Sequence, residues 1–341
     1  MTQATDDDRA DWDAFVESAE DAESYHPYEW RKVFESVYGH RCFYLMARER
    51  AGKVCGVLPL VQLKSRLFGN FLVSIPCFNY AGTLTNSDTV RKELIDASWK
   101  VAEEIGAQHV ELRHRARIDA DLPYRDDKLA MELALPESSD ELWQGFTSKL
   151  RAQIRRPKKE GATSEEGGVE LLDDFYRVFS RNMRDLGTPA FPKKLFSQIC
   201  ESFPNTTRIF IIRLNGVACA AGITYGFRNR LEIPSASSLR EYNRMSVNML
   251  LYWTVLQYAI RKGYRIFDFG RSSRDAGTYR FKKQWGAEPE QLHWHYCLKP
   301  GAEMPRLNPE NPKFRLATKV WQKLPLAVAN AIGPRIVRHL P

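Results

Sequence analysis

The chain has 341 residues, of which 43% are apolar, and this length and composition favour a globular protein with two domains. Its 50 Lys and Arg against 42 Asp and Glu give a net charge of +8. Residues 1–23 are strongly acidic, so the positive excess lies in the middle and at the end of the chain. This asymmetry indicates a phosphate, a nucleic acid or an anionic lipid surface as partner, although such a charge is also common on soluble proteins.

Several classes of protein are disfavoured by what the sequence lacks. Its six cysteines are scattered without a Cys-x-x-Cys pair, so we expect reduced thiols and no metal. The sequence has no P-loop, dinucleotide-binding, serine-hydrolase or zinc-protease motif. It also has neither a signal-peptide pattern nor the ~18 consecutive apolar residues of a spanning helix, so we expect a cytoplasmic location.

Two segments have the same order of predicted elements. Residues 43–65 and 208–227 each predict two apolar strands joined by a turn. A helix, a glycine suited to a left-handed C-cap and a further strand are predicted next, over 90–114 and 248–270. The pattern indicates a duplicated hairpin–helix–strand unit. We expect the second helix to pack between two mixed sheets, with the strand after it parallel to a neighbour.

The rest of the chain predicts helices. Residues 141–161 predict a basic helix that Pro157 ends or kinks, and 171–187 predict an amphipathic packing helix. The tail from residue 313 onward mixes apolar residues with Lys and Arg. It is compatible with docking on the protein's own body or with peripheral contact with the inner face of a membrane.

A loop rich in Arg, Ser and Lys follows the predicted strand at residues 265–269. Arg and Lys side chains there are suited to phosphate or carboxylate groups, and a carboxylate is suited to act as general base or to orient an amine. The preceding helix begins near two good capping residues, and a helix start favours an anion. The candidate residues of this cleft are Ser246, Asn248, Asp268, Arg271, Ser272, Arg274, Tyr279 and Lys282.

A pair of histidines in the predicted strand at residues 290–298 is a second candidate for a functional site. His293 and His295 alternate with Trp294 and share one strand face. A metal pair is conceivable, but without a third ligand we expect a solvated strand face.

At this point the sequence resembles a known family. Residues 234–289, including the run FDFGRSSRDAGTYRFKKQWG, resemble the C-terminal half of FemAB-type acyltransferases of the GNAT superfamily, in the group associated with the exosortase (PEP-CTERM) exopolysaccharide system. Shorter stretches extend the likeness to nearly the whole chain from His26 onward. The resemblance implies an α/β fold of tandem duplicated GNAT-like domains, each with a mixed sheet flanked by helices. The expected divisions are an acidic segment 1–25, domains 26–136 and 137–300, and a tail 301–341.

The resemblance also implies a reaction. It predicts transfer of an acyl or aminoacyl group to an amine or hydroxyl of a cell-envelope or exopolysaccharide precursor. The expected donor is acyl-CoA or, with less support, aminoacyl-tRNA, because residues 141–187 are too short and interrupted for the long helical hairpin of Fem proteins. The acceptor would be an anionic small molecule or a nucleotide- or lipid-linked sugar, and no DNA partner is expected. Two alternatives stay open, a non-catalytic scaffold in polysaccharide assembly and a tRNA-dependent peptidoglycan-type aminoacyltransferase.

Residue roles follow from matching the family's motifs. The Fem motif Phe-Lys falls on Phe281 and Lys282, which implies that Lys282 stabilises charge at the reacting centre. Asp268 and Glu232 are the nominated carboxylates. Relatives with a second glycine at the strand end differ from this chain, which has Arg271. In the first half, the resemblance implies that a groove binds the acceptor through Asn79, Tyr80, Arg113 and Arg115.

Overall fold

The computed structural model describes residues 1–118, 121–305 and 312–340, with the backbone alone for 312–315. The strands are β1 (Thr2–Gln3), β2 (Leu45–Arg48), β3 (Val54–Leu58), β4 (Val61–Ser65), β5 (Gly69–Val73), β6 (His109–His114), β7 (Tyr124–Arg125), β8 (Lys128–Ala134), β9 (Thr163–Gly167), β10 (Thr207–Leu214), β11 (Val217–Phe227), β12 (Arg230–Ser238), β13 (Ile266–Ser273), β14 (Glu288–Gln291) and β15 (His293–Leu298). The helices are α1 (Arg9–Ser18), α2 (Trp30–Tyr38), α3 (Asp88–Glu104), α4 (Ser139–Gly145), α5 (Ser148–Lys159), α6 (Leu172–Leu186), α7 (Lys193–Ser202), α8 (Val247–Arg261), α9 (Gly277–Lys283), α10 (Pro312–Gln322) and α11 (Leu326–Val337).

The chain forms two compact units. The first contains Met1–Leu129, Gln291–Leu307 and Arg338–Pro341, and the second contains Ala130–Glu290 and Asn308–Val337. In the first unit the strands form two sheets, in the orders β1-β2-β3 and β4-β5-β6-β15-β7. The acidic beginning of the chain is built into this unit, because α1 buries Trp12, whose indole donates a hydrogen bond to the carbonyl of His26 at 2.7 Å.

The second unit has one seven-stranded sheet with helices on both faces. Its strand order is β14-β8-β13-β12-β11-β10-β9. Alternation along β10 separates the two faces, because Ile209 and Ile211 join the α6 core whereas Phe210 meets Tyr258 of α8, with ring centroids 5.2 Å apart. The helix α8 therefore packs on one face of a single sheet together with α4 and α5. The prediction that this helix packs between two sheets is wrong.

Both units contain an antiparallel pair of strands, a helix and a parallel strand, but the antiparallel pair is not the predicted one. The predicted strands around Gly52, β2 and β3, lie in a different sheet from β6, and β12 was not predicted. In the first unit, β4 and β5 form an antiparallel hairpin, α3 follows, and β6 pairs with β5 in parallel. In the second, β11 and β12 are antiparallel, α8 follows, and β13 pairs with β12 in parallel, as predicted. The predicted C-cap glycines, Gly106 and Gly263, have φ values of 67° and 80°. The predicted fold class, a tandem of mixed sheets flanked by helices, is confirmed.

The helices predicted over 141–161 and 171–187 are both present, the first of them in two parts. The predicted helix over 141–161 is two helices, α4 and α5, because Thr147 breaks it and caps the second helix by accepting a hydrogen bond from the Leu150 N–H at 3.2 Å. Pro157 lies in the last turn of α5 and lacks the N–H that would bond the carbonyl of Gln153, and the helix ends two residues later. The packing helix over 171–187 is present as α6, with Gly187 in the left-handed conformation at its end.

A close approach at Gly82 gives a prediction for the stability of the first unit. A Cβ at this position would lie 2.2 Å from the imidazole of His114, which cannot easily move because Thr83 donates its N–H to the ring at 3.0 Å. We expect Gly82→Ala to lower the free energy of unfolding by about 2 kcal/mol through overpacking. Gly145→Ala is the matched control, because nothing lies within 4 Å of its Cβ position. Denaturant unfolding of both variants checks this, and equal stabilities would contradict it.

Candidate functional site

The candidate site lies where two parallel strands of the second unit stop pairing. Among the described residues, β12 and β13 pair over Arg230–Glu232 and Ile266–Asp268, and both strands continue beyond these residues. Opposite Thr224, β12 carries one extra residue, so Ile233 and Pro234 form a bulge directly after Glu232. Strand ends that lose their partner beside a bulge are places where backbone groups become accessible to a ligand.

Two carboxylates face each other at this point. Glu232 and Asp268 are register partners on neighbouring strands, so their side chains share one face of the sheet. Both are fully buried. Asp268 accepts a hydrogen bond from the backbone N–H of Gly270 at 2.7 Å, as expected for a carboxylate taken out of water.

Lys282 brings a positive charge to the same strand end. It lies in α9, is only 7% exposed, and donates hydrogen bonds to the carbonyls of Gly270 at 3.0 Å and Arg271 at 2.8 Å. Gly270 has φ 73°, a left-handed conformation that glycine adopts without strain. Burial lowers the pKa of Lys282 to about 8, while Asp268 and Glu232 oppose that fall and the neighbouring Arg271 adds to it. The ammonium group of Lys282 therefore loses its proton at a lower pH than an exposed lysine does.

Aromatic rings form the apolar side of this cluster. Tyr252 of α8 stacks on Phe269 with centroids 5.5 Å apart and meets Phe281 edge-on at 5.0 Å. Trp285 lies 6.1 Å from Tyr252. Burial raises the pKa of the Tyr252 hydroxyl well above its usual range, so it remains protonated. Sequence reasoning missed Tyr252, although its position one turn after Asn248 was a usable signal.

The remaining candidates of the second unit occupy the helix start and the loop. Ser246 is the N-cap position of α8, with a left-handed backbone at φ 57° and no hydrogen bond from its side chain to the helix, and Asn248 follows within the first turn. Ser272 is buried, and its hydroxyl contacts that of Thr278 at 3.3 Å. Tyr279 is half-buried in α9. Since Tyr252 touches Phe269 and Phe281, the first turns of α8 lie against β13 and α9.

The acceptor residues predicted in the first unit have structural partners. Arg113 is 1% exposed, binds the Glu111 carboxylate at 2.7 Å and lies 4.3 Å from the ring centroid of Trp294. Tyr80 is also 1% exposed, and the guanidinium of Arg115 lies 4.4 Å from the centroid of its ring.

Two further contacts complete this group. Arg115 binds the carboxylate of Glu23 at 2.7 Å, and Asn79 is buried at 8% exposure. Arg113, Tyr80 and Asn79 are buried and Arg115 is partly buried, so all four contribute to the packing of the first unit. Their part in acceptor binding stays a prediction, and the function proposed below does not use them.

The expectation of a solvated histidine face is wrong for one of the two histidines. His295 is 1% exposed because β15 is an inner strand between β6 and β7. Burial lowers the pKa of His295 to about 4, so its ring is neutral. Within the part of the chain that the structure describes, no group of three or more His, Cys, Asp or Glu side chains is arranged to hold a metal ion. All six cysteines are free thiols.

Part of the chain matches a known protein family. Residues 148–283 match the family model described as Acetyltransferase (GNAT) domain, and this segment contains Glu232, Asp268 and Lys282. This matched segment lies within the second unit. No curated protein sequence matches the chain.

Solved structures show the same fold over most of the chain. FemX has a TM-score of 0.68 at 15% identity, covering 86% of this chain and 97% of its own. L-PGS from Bacillus licheniformis has a TM-score of 0.59 at 13% identity, with coverages of 94% and 98%. A tandem GNAT protein from the clavulanic acid biosynthesis pathway has a TM-score of 0.55 at 12% identity, with coverages of 86% and 95%. The chain thus has a tandem GNAT-like fold.

The balance of charge at the strand end can be tested through stability. Asp268→Asn keeps an oxygen for the Gly270 N–H but removes a negative charge that raises the pKa of Lys282. We expect the free energy of unfolding at neutral pH to fall by about 3 kcal/mol, since a buried charge loses its counter-charge.

The double variant Asp268→Asn/Lys282→Met serves as the control. It should recover part of that loss, because one charge of each sign has been removed. Denaturant titration of both variants checks the pair. If the double variant instead loses more stability than Asp268→Asn alone, the two charges do not compensate each other, which would contradict the predicted pairing.

Proposed function

We propose that this protein transfers an acyl or aminoacyl group to an amine or hydroxyl of a cell-envelope or exopolysaccharide precursor. The observation that carries the proposal is the group of Lys282, Asp268 and Glu232 at the point where β12 and β13 stop pairing. The GNAT match over this segment supports the class of reaction. The resemblance to the exosortase-associated group supports the acceptor.

Acyl transfer needs a partner for the negative charge that develops on the acyl oxygen. The ammonium of Lys282 has three donors, of which two bind the carbonyls of Gly270 and Arg271. We assign the third donor to the acyl oxygen of the tetrahedral intermediate. Because two fixed carbonyls hold Lys282, its remaining N–H is oriented before the substrate arrives.

The proton of the acceptor also needs a route. The acceptor nitrogen or oxygen forms a bond to the acyl carbon, and the bond from that carbon to the donor's sulfur or ester oxygen breaks. In our proposal Glu232 or Asp268 accepts the acceptor's proton and passes it to the departing sulfur or oxygen, so the leaving group is released protonated. Both carboxylates are fully buried beside Lys282, so both stay candidates for the base.

Acyl-CoA is the donor we favour, because the GNAT fold usually binds it. Aminoacyl-tRNA is the second candidate, and the basic helix α5 supports it. The sequence of this helix, SKLRAQIRRPKK, contains six Lys or Arg and no acidic residue, and most of these cations are exposed. Both donors are polyanions, so binding of each should weaken with salt.

Calorimetry with acetyl-CoA and with a charged tRNA separates the two donors. Arg155→Gln/Arg156→Gln should weaken tRNA binding and leave acetyl-CoA binding unchanged. Val217→Gln, a neutral and exposed change, is the control. Failure of both donors to bind would favour the non-catalytic scaffold.

The low pKa of Lys282 predicts a pH profile for turnover. Release of CoA from acetyl-CoA can be followed with glucosamine as acceptor amine. We expect kcat to fall as the pH rises through about 8, because the ammonium form is lost there. Lys282→Arg keeps a positive charge at that pH, so its smaller kcat should not show the fall.

Two outcomes would contradict the assigned role. A wild-type kcat that rises through the same pH would make the neutral amine the active form and Lys282 a base. A fall that persists unchanged in Lys282→Arg would assign the titration to another group. Circular dichroism at each pH shows that the fold is intact.

A further inference from the structure

The last helix of the second unit has an apolar outward face. Ala327, Val328, Ala331 and Ile332 of α11 are exposed, with Val328 at 39% and Ile332 at 40%. The opposite side of the same helix is buried through Ala329, Gly333 and Val337. A surface helix ordinarily has polar residues on the side that faces water. This helix differs, because it has apolar residues on its exposed side as well as on its buried side.

The neighbouring helix α10 shows the same feature. Leu316 and Val320, one turn apart, are 64% and 55% exposed. The two helices adjoin, because a Cβ at Gly333 would lie 3.6 Å from the ring of Trp321. Single exposed aliphatic residues are normal on proteins, but four at helical spacing on adjoining helices form a surface that something should cover.

The charge of this region indicates what covers it. Residues 311–341 contain six Lys or Arg and no Asp or Glu. Lys319 and Lys323 of the α10 region and Arg335 of α11 are exposed beside the apolar side chains. Exposed aliphatic residues flanked by cations are complementary to an anionic lipid surface.

We propose that α10 and α11 dock this protein on a membrane that contains anionic lipids. The exposed aliphatic residues enter the boundary between headgroups and acyl chains, and the lysines and Arg335 bind lipid phosphates. A second copy of the chain is the rival occupant, but its tail would bring the same positive charges together without a counter-charge. No helix among the described residues is long and apolar enough to cross a membrane, so this contact would be peripheral.

Docking of this kind does not require the chemistry at Lys282. It would place the protein where a lipid-linked acceptor is found. Failure of the proposed reaction and failure of docking are therefore separate results.

Vesicle co-sedimentation of the full chain tests the proposal. Vesicles of phosphatidylcholine with phosphatidylglycerol should pellet the wild-type protein, and vesicles of phosphatidylcholine alone should pellet much less. Val328→Gln/Ile332→Gln should weaken binding about tenfold or more, because two aliphatic side chains no longer leave water. Lys319→Gln/Lys323→Gln should weaken binding to the mixed vesicles and reduce its sensitivity to salt.

The matched control is Val217→Gln, since Val217 is 50% exposed but lies in β11. It should bind as the wild type does, and thermal unfolding should show that every variant is folded. Equal pelleting by both vesicle types, no pelleting by either, or undiminished binding of Val328→Gln/Ile332→Gln would each overturn the proposal. A wild-type dimer in ultracentrifugation that this double variant splits, without vesicle binding, would assign the face to a second copy.

Discussion

The arrangement of the candidate site depends on the burial of a lysine at the end of a β-strand. An ammonium group loses most of its hydration at 7% exposure, and it stays in this position because backbone carbonyls and two carboxylates replace the water. Lys282 therefore ties α9 to β13 and at the same time gives the strand end an ionisable cation. Neither role is separable from the other, because the same hydrogen bonds that fix Lys282 also orient its remaining donor.

The fold provides this arrangement through ordinary sheet geometry. Parallel pairing places Glu232 beside Asp268, and the bulge at Ile233 and Pro234 ends the regular pairing just beyond them. The left-handed Gly270 allows the strand to continue while its carbonyl meets Lys282. A buried strand can therefore end in several charged side chains, because most of those charges have partners there.

Much of this could be predicted from the sequence because it depends on local pattern. The helices α3 and α8 with their C-caps at Gly106 and Gly263, the strand that follows each helix, and the gathering of Asp268 and Lys282 at one strand end follow from periodicity, glycine placement and family motifs. The prediction did not extend to partners distant in sequence. Arg113 was predicted to bind the acceptor, but it packs against the ring of Trp294, which is far away in the sequence, so no local pattern shows this contact. His295 is buried for the same reason, since a strand from late in the chain lies inside the first unit's sheet.

The most direct test is the titration of Lys282 itself. Nuclear magnetic resonance of protein labelled with ¹³C at the lysine ε-carbon follows each ammonium group, and the signal absent from Lys282→Met assigns the one of interest. The account predicts a midpoint near pH 8, well separated from the exposed lysines. If Lys282 instead titrates at the same pH as the exposed lysines, its ammonium group is hydrated. That result would contradict the claim that Lys282 is a buried ammonium group.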